Sequence, residues 1–123
     1  VSGRAYLAGV LKDALPDWQI VSDPRAIDSV RKPGAIVLGT SKITRGPGSA
    51  ILGAELVLWV LTAADRPALI EDDLDDLLKA VCDVLEPLDA FNWTEAERMV
   101  LADVYDGYKV TVTCAYKIEN EGA

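Results

Sequence analysis

Hydrophobic side chains recur along residues 68–88 at steps of three and four: Ile70, Leu74, Leu77, Leu78, Val81, Val84, Leu85 and Leu88. On a helix of 3.6 residues per turn they gather into one apolar stripe. The other side carries Glu71, Asp72, Asp73, Asp75, Asp76, Lys79, Asp83 and Glu86, so the stripe must lie on a sheet or another helix. Asp65 is the candidate cap of this helix, Pro67 stands near its first position and Pro87 ends its pattern. A shorter stripe of Leu7, Val10, Leu11, Ala14 and Leu15 follows Ser2, a candidate N-cap, and is stopped by Pro16.

Between and after these helices the pattern is that of strands. Residues 18–21 and 35–38 are short apolar runs, and residues 25–34 hold at most a one- or two-turn helix before Lys32-Pro33-Gly34 breaks it. Residues 50–63 are apolar on both alternating faces, with Ile51, Val57, Trp59 and Leu61 on one and Leu52, Leu56, Leu58 and Val60 on the other, which places them centrally in a sheet. Residues 93–102 alternate tolerably, residues 103–107 read as a turn, and the tail 119–123 is polar and frayed. The clearest period of two runs through Tyr108, Val110, Val112, Cys114, Tyr116 and Ile118, opposite Lys109, Thr111, Thr113, Ala115 and Lys117. The order is α-β-β-β-α-β-β, and strands in runs joined by short turns imply a mainly antiparallel sheet with two helices packed on it, an α+β fold.

A length of 123 residues suits one domain, 1–123, with a core that needs no staples. No apolar run approaches the roughly 18 residues that span a bilayer, so no membrane is expected. No basic stretch with an apolar signal core opens the chain, so nothing points to secretion. The net charge of −8 argues against sequence-independent nucleic-acid binding, which runs on Lys and Arg neutralising phosphates. Its placement is more telling than its sum. Before residue 50, Arg4, Lys12, Arg25, Arg31, Lys32, Lys42 and Arg45 outnumber the acids, whereas from Asp65 to Glu97 only Arg66 and Lys79 stand among eleven carboxylates.

Candidate chemistry is sparse. The chain has no His, which removes the commonest general base and the His-dependent nucleophile pairs. Cys82 and Cys114 read as reduced core thiols, the first among carboxylates that raise a thiol pKa. No catalytic residue, cofactor or metal ligand is assigned, and the protein is expected not to be an enzyme. The acids Glu71, Asp72, Asp73, Asp75 and Asp76 admit three readings: a solvated face matched to the positive end of the helix dipole, a partner-binding face, or a hard-cation site that lacks the features of a calcium loop. Residues 39–49 are a Gly-, Pro- and Ser-rich connection without phosphate-loop spacing. They read as a long hairpin loop or as an arm whose Lys42, Ile43 and Arg45 dock on another subunit. Trp59 and Trp93 are expected in the core, and Trp18 in the core or at a subunit contact. The candidate interface is therefore Trp18, Lys42, Ile43, Arg45, Asp72, Asp73, Asp75 and Asp76.

Several stretches together resemble the tail terminator proteins of long-tailed bacteriophages: the opening helix at 3–15, WQIV at 18–21, AIVLGTSKITRGPGSAILGAELVLWVLTAA at 35–64, LIEDDLDDLLKAVCDVLEPL at 69–88 and GYKVTVTCAYKIE at 107–119. The likeness lies in the order and texture of elements over nearly the whole chain, with no short motif. It implies a small α+β virion protein, made in the host cytoplasm and resident in the tail or neck. Such a protein forms a hexameric ring on the tail tube protein and offers the joining surface to the head–tail connector or neck, while DNA passes through the lumen without specific binding. Two other classes remain open: an adaptor whose acidic helix binds a basic partner, and an acidic metal-dependent enzyme.

Overall fold

The structure, a computed structural model, describes residues 3–21, 30, 34–45, 51–64, 66–101 and 105–117. Helix α1 (Gly3–Ala14) precedes β1 (Gln19–Val21); β2 (Gly34–Arg45), β3 (Ile51–Thr62), α2 (Pro67–Leu85), β4 (Phe91–Leu101) and β5 (Tyr105–Lys117) follow. The strands form one sheet in the order β1-β2-β3-β5-β4. All neighbours are antiparallel except β1, which runs parallel to β2 through Gln19–Ala35, Ile20–Ile36 and Val21–Val37. The α+β class and the element order are those the pattern implies, and β3, apolar on both faces, is the middle strand.

Both helices lie on one face of the sheet. Leu7 and Leu11 of α1 and Leu74, Leu77, Val81 and Leu85 of α2 pack on Ile36, Leu38, Leu56, Leu58, Val110 and Val112. Each such side chain contributes roughly 1.5–3 kcal/mol by leaving water, which makes this layer the main source of stability. The stripe of α2 is the one read from the sequence. That of α1 is rotated slightly, with Ala8 buried and Ala14 exposed. On the other face a smaller cluster joins Ala35, Val37 and Leu61 to Val21, Val30, Trp59, Leu101 and Tyr105.

Arg98 pins α2 to the β4–β5 pair. Its Nε and Nη2 donate to Glu71 Oε1 at 3.2 and 3.0 Å, and Nη2 also reaches Asp106 Oδ1 at 3.0 Å. Nη1 donates to the carbonyls of Met99 at 2.9 Å and Gly107 at 3.3 Å. One guanidinium thus joins three elements through its planar fork of donors.

Four expectations are corrected. Residues 39–45 are not loop: β2 runs on to Arg45, paired with β3 through Arg45–Leu52, with an irregularity between Thr40 and Lys42. A polar strand that needs no core leaves no hydrophobic pattern. Trp93 is 37% exposed rather than core, because α2 ends at Leu85, and the Oε1 of Glu86 just beyond that end accepts from the indole Nε1 at 3.1 Å. The N-cap of α2 is Arg66, which makes no side-chain cap bond, while Pro67 is the first helical residue. Tyr105, Asp106 and Gly107 belong to β5 rather than to a turn. The expectations for Ser2, residues 25–29 and 31–33, residues 46–50, residues 102–104, Ile118 and the tail lie outside the described residues.

Candidate functional site

At the end of the sheet where Gly34 pairs with Thr62, the chain leaves β3 for α2, and an open groove forms there. Asp17, Trp18, Ala63, Ala64, Arg66, Leu69, Asp72, Asp73, Asp76 and Leu77 line it. Sequence logic explains its shape. Trp18 sits just before β1, half-buried against the core, and the first turns of α2 lay Leu69, Asp72, Asp73 and Asp76 along one wall.

Asp73 has a structural tie: the hydroxyl of Thr62, itself buried at the end of β3, donates to Asp73 Oδ2 and accepts from the Ala64 amide at 2.9 Å. The strand end and the helix are joined there, and a buried hydroxyl is satisfied in both roles. Asp72 and Asp76 are exposed, and Leu69 is an apolar side chain left 51% exposed among them.

The helix dipole does not account for these acids. The first turn of α2 holds no acidic residue, and the dipole's influence fades within that turn. They therefore stand as like charges gathered on one surface without compensation from the backbone. Among the described residues, no group of three Asp, Glu or Cys side chains is placed to hold a metal ion.

The basic candidates lie elsewhere. Lys42, Ile43 and Arg45 occupy the far end of β2, all exposed, with Ile43 49% exposed. The twelve residues of β2, at roughly 3.3 Å each, put about 35 Å between the groove and this tip. Among the described residues no ion pair engages Lys42 or Arg45. The cross-strand neighbour of Lys42 is Glu55, whose carboxylate instead accepts from the Ser41 hydroxyl at 2.9 Å.

Of the eight residues singled out in the sequence, the fold brings Trp18, Asp72, Asp73 and Asp76 into one groove. Asp75 is exposed on α2 but does not line it, and Lys42, Ile43 and Arg45 form the opposite tip. Asp17, Arg66 and Leu69 were not anticipated. Leu69 carried a signal, since it is an apolar residue one step off the period of the α2 stripe.

The two thiols are poor nucleophiles. Burial pushes the Cys114 thiol up, and burial, then the charges of Glu86 and Asp83, do the same at Cys82. Carboxylates thus act on Cys82 as expected, but desolvation is the larger cause. Both remain protonated at neutral pH.

Compared with protein-family models and with curated proteins, the chain matches none.

Proposed function

We propose that this chain is a non-enzymatic structural protein that assembles with copies of itself into a ring, caps a phage tail tube and presents the surface to which the head joins. The observation that supports this reading is the placement of unlike surfaces. A basic tip and an acidic groove at opposite ends of the β2–β3 pair cannot meet within one molecule, so the tip is answered by another molecule, a second copy or the tube beneath. Contacts between unlike surfaces are heterologous, and when they close they make rings. The surplus of acid suits a lumen through which phosphates pass without sticking.

Charge alone does not hold such an assembly, because at physiological salt it reaches only about 8 Å. It orients contacts that apolar side chains such as Leu69, Trp18 and Ile43 then stabilise. Replacing both Lys42 and Arg45 by Glu is expected to weaken self-association about tenfold at low salt and less at high salt. Sedimentation equilibrium at both salts measures this, and an unchanged constant at both removes the tip from the account.

A second reading draws on the groove itself. Acids beside Trp18 and an exposed Leu69 suit a basic segment with an apolar anchor, as an adaptor would need. Mass separates the two: a ring protein self-associates, whereas an adaptor stays small and takes up its partner in fixed ratio.

A further inference from the structure

Among the described residues the sheet ends on two unlike edges. Strand β1 spans three residues and covers β2 only at Ala35, Ile36 and Val37. From Leu38 to Arg45 no strand among the described residues pairs with the outer side of β2. At the other margin β4, eleven residues long, has β5 alone beside it among the described residues. Open edges present rows of backbone N–H and C=O groups that template pairing with a further strand.

Following the antiparallel pairings from β2 through β3 and β5 to β4, β2 and β4 run in opposite senses. Two copies set side by side in the same orientation therefore bring β4 of one against β2 of the next as an antiparallel pair. We propose that copies join laterally in this way, with the outer edge of β2 beyond Val37 taking the β4 edge of a second copy, so that the sheet continues from subunit to subunit. This rests on the self-assembly reading above and names its lateral contact.

The side chains select this pairing and reject the alternatives. Lys42 is paired with Glu55, and Glu97 with Lys109, on the face of the sheet turned away from the helices. A register that sets Lys42 opposite Glu97 keeps that face continuous and places Thr44 opposite Glu95. On the helix face it sets Ile43 opposite Ala96. Allowing for the irregularity at Ser41, it also sets Leu38 opposite Val100, which is 49% exposed at the free edge. Beyond Leu38 the room ends, because β1 begins. Pairing β4 with another β4 so that Glu95 faces Glu97 brings acids together, and pairing β2 with β2 about Lys42 sets that lysine against its own copy. Like charges directly opposite are destabilising, so the unlike edges match better. Main-chain bonds supply the affinity and the charges the register, as in other strand additions.

Charge reversal in the full chain tests this, with sedimentation as the readout. K42E is expected to weaken assembly and E97K, added to it, to restore assembly to within about twofold of wild type, whereas D72K or D76K added to K42E restores nothing. In addition, the Thr44→Cys, Glu95→Cys double variant oxidised with copper phenanthroline should give a ladder of disulfide-linked oligomers. The parent chain and each single variant, treated alike, should not. All altered positions are exposed, and since K42E faces Glu55 and E97K faces Lys109 within the chain, a thermal midpoint lowered by no more than a few degrees confirms folding. Rescue by D72K or D76K and not by E97K, with no ladder, overturns edge pairing in favour of groove docking and leaves self-assembly standing. No assembly of the wild type and no ladder overturns both.

Discussion

Replacing Gly107 by Ala is expected to cost about 3 kcal/mol, the upper part of the usual range for forcing atoms into a filled core. An added Cβ would stand 2.4 Å from the Val60 carbonyl oxygen, 2.8 Å from Leu61 Cδ2 and 3.2 Å from the Val60 carbonyl carbon. The first and third are backbone atoms of the middle strand and cannot rotate away. Relief requires β3 and β5 to separate where Gly107 pairs with Leu61 and where its own carbonyl accepts from Arg98. Strain at that point therefore also loosens the guanidinium that joins α2 to the sheet. Thermal unfolding should show a midpoint lower by roughly 10 °C. A midpoint within a degree or two of wild type would mean that the β3–β5 spacing yields, contrary to the close packing described above. Gly9→Ala is the matched control, since it meets nothing within 4 Å on α1 and should be neutral or slightly stabilising.

Leu74→Ala is expected to cost 2–5 kcal/mol, roughly the range for a leucine truncated in a rigid core. Leu74 is fully buried in the centre of the α2 stripe, between the helix and the sheet. Truncation loses the transfer of its methyl groups from water and leaves a void that the sheet beneath cannot fill. Leu69→Ala, five residues earlier on the same helix, should change stability by less than about 0.5 kcal/mol, because that side chain is in the groove and mostly wet. Urea denaturation of the two variants measures the contrast. Equal losses would place Leu69 in the core and remove the apolar part of the groove.

The two residues also mark how far the sequence can be read. The α2 stripe, the two-sided apolarity of β3 and the alternation of Val110, Val112 and Cys114 were legible, because each element buries a face whose period its backbone dictates. The far half of β2 was not. Ser41, Lys42, Thr44 and Arg45 are exposed, so their strand is held by ladder bonds to β3 and leaves no trace in hydropathy. The same holds for the placement of charge. That acids follow bases along the chain was plain from the order of residues, but that Lys42 and Asp72 stand at opposite ends of the sheet follows only from the pairing of Gly34 with Thr62 and Arg45 with Leu52. Trp18 and Asp72, distant in sequence, share a groove for the same topological reason. Trp93 misled in the opposite direction, since its apolar bulk suggests a core that α2 stops short of covering.

Unlike surfaces on one unit are expected to join copy to copy around a hollow axis. Negative-stain microscopy of the purified chain at high concentration and low salt, with sedimentation velocity on the same sample, decides it. Closed rings with an open centre should appear, as one discrete species above monomer that recedes as salt rises. A single species of the chain's own mass at every concentration and salt, with no ring in the images, would contradict it.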